Sequence, residues 1–245
     1  MIIAFNLYCK TPFGRIHLRN PEIIALAKIL GRTPSAVSWK LANFARLDPS
    51  LKKRSIGGAS HGGKGEIEIW DEFSHDWESL SFESEKLLAG MTGKSIEQLA
   101  NIDENELPRQ GKERESLVRI RVNQYFFRAA VLTAYNFRCC ITELSVPELL
   151  NASHIIPWSK SDENRVNPCN GLCLNAIHDR AFDRGLLTIL PDYTIKISPV
   201  LKKLSKNIAV KHFLLRYDGL TIKRPKRFLP DITFLRYHNE KIFQN

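Results

Sequence analysis

Long apolar runs are missing from this 245-residue chain. No stretch approaches the roughly 18 consecutive apolar residues of a membrane span, which excludes a spanning helix. The opening MIIAFNLYCK lacks the basic start, extended apolar segment and small-residue cleavage site of a secretory signal, so the expected location is the cytoplasm. Cysteine is scarce and odd in number, with five residues at 9, 139, 140, 169 and 173. In a chain without an export signal that argues for free thiols or a metal site rather than disulfides. Internal repeats and low-complexity tracts are also missing, which excludes solenoid and fibrous architectures. What remains, 43% hydrophobic and 25% charged residues, is the composition of an ordinary globular protein of two modest domains.

The net charge of +10 is unevenly spread. Residues 1–70 hold 11 Lys and Arg against 4 Asp and Glu, residues 71–113 hold 4 against 11, and residues 114–245 hold 21 against 11. Two basic blocks thus flank an acidic one. Basic surface attracts polyanions by releasing their counterions, and nucleic acid is the commonest such partner inside a cell.

From Asn20 the sequence NPEIIALAKILGRTPSAVSWKLANFARLDP places Ile23, Ala27 and Leu30 on one helical face, a turn at Gly31, and Val37, Leu41 and Phe44 on a second face. Thr33 suits an N-cap and Pro34 the first helical position, so a helix, tight turn, helix unit is expected. A glycine-rich loop then precedes the alternating EIEIW, and with KKRSI before the loop this reads as a hairpin or wing. Residues 1–73 are therefore read as a winged helix-turn-helix domain, a unit that often lays its second helix in the major groove. Arg32, Ser35, Ser38, Trp39, Lys40, Lys52, Lys53, Arg54 and Lys64 are its candidate DNA contacts.

Residues 74–116 are rich in Glu, Asp and Ser and read as an acidic connector, with one short helix expected in SIEQLANI. In LVRIRVNQYFFRAAVLTAYNF, Val118, Val122, Tyr125, Phe126, Ala129 and Leu132 recur at helical spacing, which predicts a long helix burying an aromatic face. Further on, LLTILPDYTIKIS predicts a hairpin turning at Pro191 and Asp192, followed by a helix over 199–215 and a tail dense in Lys and Arg.

Between the long helix and that hairpin lies NASHIIPWSKSDENRVNPCNGLCLNAIHDRAFDRGLL. It reads as strand, polar loop, short strand, helix, with His154 on the first strand, Asn170 at the loop's end and His178 in the helix. Phosphodiester hydrolysis needs a base, a cation and rigid positioning. His154 is the candidate base, because an imidazole accepts a proton near neutrality once its other nitrogen is held. With Asn175 as N-cap, His178 is the third helical residue, where the positive end of the helix dipole favours the neutral, metal-binding ring. Asn170, both donor and acceptor, suits pinning the loop against the backbone near His154.

ASHIIPW followed by NPCNGLCLNAIHDRAFDRGL resembles the HNH endonuclease family, whose active site is the ββα-metal fold. RVNQYFFRAAVLTAYNFRCCITEL and YHNEKIF are also similar to bacterial HNH restriction endonucleases. The resemblance implies metal-dependent cleavage of double-stranded DNA with Mg²⁺, Mn²⁺ or another divalent ion. His154 would be the general base, Asn170 the structural residue and His178 a metal ligand. It also implies a role in restriction or phage defence. Many relatives carry an acidic residue or His just before the base as a second metal ligand, where this chain has Ser153, a poor ligand for a divalent cation. Asp183 is the best acidic substitute, as a ligand or as a hydrogen-bond acceptor behind one; Asn175 and Asp179 are weaker candidates. A structural Zn²⁺ on Cys139, Cys140, Cys169 and Cys173 is disfavoured, since CNGLC is not a two-residue knuckle.

The expected fold class is α+β, with the winged domain over 1–73, the connector over 74–116, and the nuclease domain with flanking helices and a hairpin over 117–245. Cutting two antiparallel strands with one site per chain favours a homodimer. Two rivals share these residues: a DNA-binding protein with an inactive HNH fold, for which Ser153 is the argument, and an RNA nuclease.

Overall fold

The computed structural model describes residues 1–52 and 62–245. The chain divides into two compact units, Met1–Ala130 and Val131–Asn245, and the division falls inside a long helix rather than at residues 73 or 116.

The first unit holds α1 (Ile2–Lys10), α2 (Pro21–Ile29), α3 (Pro34–Leu47), α4 (Pro49–Lys52), α5 (Lys64–Phe73), α6 (Trp77–Thr92), α7 (Ile96–Leu99) and most of α8 (Lys112–Ala134). The helix-turn-helix reading holds at the level of its elements. Asn20 caps α2 by accepting from Glu22 N and Ile23 N, and Thr33 caps α3 by accepting from Ala36 N. Between them Gly31 takes φ +59°, and Arg32 N donates to Ala27 O at 2.9 Å, the bond that closes a Schellman turn. Ile23 and Ala27 of α2, and Val37, Leu41 and Phe44 of α3, are buried as their spacing requires. At the centre of this core Phe5 stacks on Phe44, with ring centroids 4.8 Å apart, and meets Trp70 and Trp77.

The expected wing strand is a helix. EIEIW alternates by twos, but it lies within α5, where Glu66, Ile69, Trp70 and Phe73 form an i, i+3, i+4, i+7 face and Ile67 is left exposed. On that face Glu66 is buried and accepts from Lys40 and from Asn43 Nδ2 at 2.8 Å. Burial alone would raise the Glu66 pKa, but the hydrogen bonds from Lys40 and Asn43 hold it below the ordinary value. Among the described residues, Met1–Ala130 contains no strand. Of KKRSI only Lys52 is described; Lys53, Arg54 and the rest of it, and most of the glycine loop, lie outside the described residues.

The acidic stretch is also more than a connector. α6 packs against α1, with Trp77 meeting Phe5 and Glu85 meeting Lys10 at 3.4 Å, while Leu80, Ser81 and Ser84 are buried and Ser81 donates to Val122 O of α8. The helix expected in SIEQLANI is α7, closed by a capping box between Ser95 and Gln98. A small core of Ala100, Val118 and Val122 gathers Phe82, Ile96, Ile102 and Leu107 around it. α8 begins five residues before the apolar spacing does, and Tyr125, expected inside, is 45% exposed; Phe126 and Phe127 are the aromatics its inner face buries.

The second unit is α+β. Strands β1 (Leu150–His154) and β2 (Gly171–Asn175) pair antiparallel, with His154 opposite Gly171 and Leu150 opposite Asn175, and α9 (Ala176–Asp183) follows without a gap. The expected hairpin is present as β3 (Leu187–Ile189) and β4 (Ile195–Ile197). The helix expected over 199–215 is broken into α10 (Pro199–Lys202) and α11 (Ile208–Phe213), because Ser198 and Asn207 each cap a separate start. α12 (Ile232–Lys241) closes the unit. Cys139, Cys140 and Cys173 are buried and in no disulfide, and burial pushes the Cys140 pKa well up.

α12 fixes the far end of α9 through His238. Its ring stacks on Phe182 with centroids 3.7 Å apart, Nε2–H donates to Phe182 O at 3.1 Å, and Nδ1 accepts from the Thr188 hydroxyl at 2.8 Å. Burial lowers the His238 pKa to about 4, against the Phe182 hydrogen bond, which raises it. The unfolded ring titrates near ~6.5. With the folded pKa depressed, the neutral ring's contribution is complete above about pH 6.5 and is lost as pH falls towards about 4, by about 3 kcal/mol at full loss. Urea midpoints between about pH 7 and 4 should therefore fall more steeply for the native chain than for His238→Gln, and equal slopes would contradict this account.

Candidate active site

β1, β2 and α9 bring the sequence-derived trio into one small structure. Asn175 ends β2 and caps α9, with Oδ1 accepting from Ile177 N at 3.1 Å and from His178 N at 3.0 Å. His178 is thereby the third helical residue, as the spacing predicts.

Asn170 is fully buried and closes the loop that separates the strands. Its Oδ1 accepts from Ile156 N at 2.8 Å, its Nδ2 donates to Ile156 O at 3.0 Å and to Asn164 O at 3.1 Å, and its own carbonyl accepts from Ile155 N. The bonds land two residues past His154 and fix the direction in which the chain leaves it. Asn170→Ala would remove the partner of three part-buried main-chain groups, at up to roughly 1–3 kcal/mol each. The expected result is a loss of several kcal/mol in denaturant unfolding, with protease cutting within 155–169; unfolding within about 0.5 kcal/mol of the native chain would contradict the role.

His154 lies at the end of β1. Its Nε2 is 2.8 Å from Arg165 O, and since a carbonyl only accepts, Nε2 carries the proton and Nδ1 the lone pair. Trp158 meets the ring edge-on with centroids 5.6 Å apart, and the Arg165 guanidinium lies over the Trp158 ring. Burial lowers the His154 pKa, opposed by the Arg165 hydrogen bond and by the charge of Asp179, so the ring is neutral at physiological pH.

His178 is 2% exposed. Its Nδ1 lies 3.1 Å from Asn175 Oδ1, and the ring meets Tyr217 edge-on at 5.2 Å. Nε2 is buried without a hydrogen-bond partner. Burial lowers its pKa, partly opposed by the main chain of Phe213, so this ring is also neutral.

The acidic side chain delivered to β1 is Asp179 rather than Asp183. Asn151 and Ser153, two apart and hence on one face of the strand, both reach it: Asn151 Nδ2 donates to Oδ2 at 2.6 Å and the Ser153 hydroxyl bonds Oδ1. Ser153 is itself buried. Asp183, one helical turn past Asp179, sits at the exposed end of α9; partial desolvation and the Asp179 charge hold its pKa up, against Arg180 and Arg184. Asn175 is occupied by capping and by Thr142. Asp179, Asn151 and the Arg165 carbonyl were underweighted or missed in the sequence. The i, i+2 spacing of two small polar residues before His154 was the signal available for the first two; nothing local marks the third.

Among the described residues no three His, Cys, Asp or Glu form a group that could hold a metal ion by themselves. Mg²⁺ needs no such cage, since it keeps several waters and takes one or two protein carboxylates together with substrate phosphates. A buried imidazole nitrogen without a partner, on a helix whose next residue is a carboxylate, fits a cation held only in part by protein.

Of the candidate DNA contacts, Arg32, Ser35, Lys52 and Lys64 are exposed, Trp39 is 61% exposed and Ser38 is half-buried. Lys40 departs from expectation: its ammonium is engaged by buried Glu66, so its charge is neutralised inside the unit. Lys53 and Arg54 lie outside the described residues.

An antiparallel strand pair leads straight into a helix, with a histidine on strand and helix and an asparagine locking the loop, a ββα arrangement. Residues 139–190 match the family model described as HNH endonuclease. No match is found among curated proteins. A domain of this family suggests a nuclease, and HNH nucleases generally use divalent metal ions. Among the described residues, no helix is long and apolar enough to cross a membrane.

Proposed function

We propose that the protein is a divalent-metal-dependent endonuclease that hydrolyses phosphodiester bonds of double-stranded DNA, in restriction or phage defence. The observation that carries the reading is the His154 ring, fixed by the Arg165 carbonyl with its lone pair on Nδ1 at the edge of the strand pair, inside the segment that matches the HNH family. His154 takes the proton from the attacking water through Nδ1. Asn170 keeps the outgoing chain, and with it the ring, in place. His178 and Asp179 are the cation's protein ligands in this reading, Ser153 and Asn151 orient Asp179, and Asp183 adds negative charge on the same helical face. A bound Mg²⁺ or Mn²⁺ supplies neutralisation of charge on the phosphoryl group and leaving oxygen.

The exposed Arg32, Ser35 and Trp39 at the start of α3 support duplex contact by the first unit, through a helix-turn-helix without the expected strand of a wing. A homodimer is the economical way for one site per chain to cut both strands.

The test is incubation of supercoiled plasmid and phage DNA with the full chain in Mg²⁺, Mn²⁺ or EDTA, beside His178→Ala and Asp179→Asn. Expected are metal-dependent nicking and linearisation, weaker response to metal in both variants, and structured RNA as a poor competitor. Binding without cutting in every cation would replace the nuclease by a binding module, and preferential cutting of RNA would replace the substrate.

A further inference from the structure

Residues 199–217 contain Lys202, Lys203, Lys206, Lys211 and Arg216 and no Asp or Glu. Two of these charges are already engaged: Lys202 pairs with Asp218 at 2.6 Å and Arg216 lies over the Tyr217 ring. Lys203, Lys206 and Lys211 are exposed, and among the described residues none has an acidic partner. Between and beside them protrude Ile208, 74% exposed at the start of α11, and Phe213, 53% exposed at its end, with Leu204 also exposed. The segment reaches the active-site helix, since the Tyr217 ring meets His178 at 5.2 Å.

We propose that the segment Lys203–Phe213 is a duplex-DNA docking surface of the nuclease unit, with Lys203, Lys206 and Lys211 on backbone phosphates and Ile208 as an apolar wedge at a base step. The inference rests on the nuclease reading for its substrate. Three cations without counter-charges leave the segment's field uncompensated, which suits a polyanion. Apolar side chains flanked by Lys are the means by which architectural proteins unstack a base step and bend the duplex. A membrane surface would also take cations beside apolar residues, but α11 spans six residues and offers too little apolar face for a helix lying in an interface. Tyr217, four residues past the segment, meets His178, and that nearness decides between them, because an endonuclease must hold the duplex beside its catalytic histidines.

Lys203→Ala/Lys206→Ala/Lys211→Ala and, separately, Ile208→Gln change only exposed side chains. Binding of a labelled duplex by the full chain is followed by anisotropy in EDTA from about 50 to 200 mM salt. The expected triple-variant result is weaker binding and a plot of log affinity against log salt shallower by about 2.7, for three phosphate contacts at about 0.9 each. Ile208→Gln should keep the salt slope and reduce the bend read by energy transfer between the duplex ends. Anionic phosphatidylserine vesicles should not be bound. A triple variant with the native slope, a native chain that binds no duplex, or vesicle binding lost in the triple variant while duplex binding is kept would each overturn the surface. Plasmid cleavage in Mn²⁺ separates the two readings: cleavage with an unchanged slope sinks the surface alone, and a reduced slope without cleavage sinks the nuclease alone.

Discussion

His154→Ala is expected to reduce metal-dependent cleavage of duplex DNA by about 10²- to 10⁴-fold, the usual contribution of a positioned general base. The change removes the Nδ1 lone pair while leaving the loop lock intact, since Asn170 bonds to Ile156 and Asn164 and not to the His154 ring. The Arg165 carbonyl loses its donor, but the site is only half-buried and water can replace it, so unfolding should shift by about 1 kcal/mol. Duplex affinity measured in EDTA should be unchanged. That combination, chemistry lost with fold and binding kept, separates a base from a structural histidine. If cleavage persists within a few-fold of the native rate, the base lies elsewhere. If cleavage and unfolding stability collapse together, His154 is a packing residue and the tautomer argument has no chemical consequence.

Gly185→Ala is expected to lower the stability of Val131–Asn245 by about 3 kcal/mol or more and to reduce cleavage along with it. Gly185 follows α9 with φ +64°, a region that costs an L residue roughly 1–2 kcal/mol. Space is the larger objection, because a Cβ there would run into the main-chain oxygen of Ile242 and press on its carbonyl carbon. Those atoms cannot swing aside: Ile242 N donates to His238 O at 3.1 Å, and Gln244 N donates to Gly185 O at 2.9 Å. Overpacking against a held backbone adds roughly 1–3 kcal/mol. Differential scanning calorimetry should show a drop of about 10 °C or more. Gly31→Ala provides the comparison: Gly31 also has positive φ, +59°, but open space around its Cβ, so only the dihedral cost of roughly 1–2 kcal/mol applies. Equal losses at the two positions would remove the steric part of the argument.

Both predictions concern the segment that the sequence describes best. The strand, loop, strand, helix order around His154, Asn170 and His178 was legible because each element carries its own punctuation: Pro157 after the first strand, Asn170 and Gly171 before the second, Asn175 capping the helix. The same holds for α2 and α3, whose caps Asn20 and Thr33 stand next to prolines at the first helical position. Such signals act within a few residues, so they survive without knowledge of what packs where.

The misreadings share one cause. EIEIW alternates like a strand, yet it lies in a helix whose inner face places Glu66 against Lys40 and Asn43, more than twenty residues earlier. The acidic stretch looked like a connector because Ser81 and Ser84 are polar by composition, yet they line the inner side of α6. Helical spacing does not say which of Asp179 and Asp183 faces β1; the Asn151 and Ser153 contacts place Asp179 there. By itself the sequence determined the secondary elements that carry caps and turns, the identity of the histidines and asparagine, and the uneven charge, since all of these depend on neighbours along the chain. The tertiary structure alone decided which polar groups are buried with partners, which carboxylate of α9 meets β1, and which lysines pair with acidic groups, because each of those is settled by residues far apart in sequence that only folding brings together.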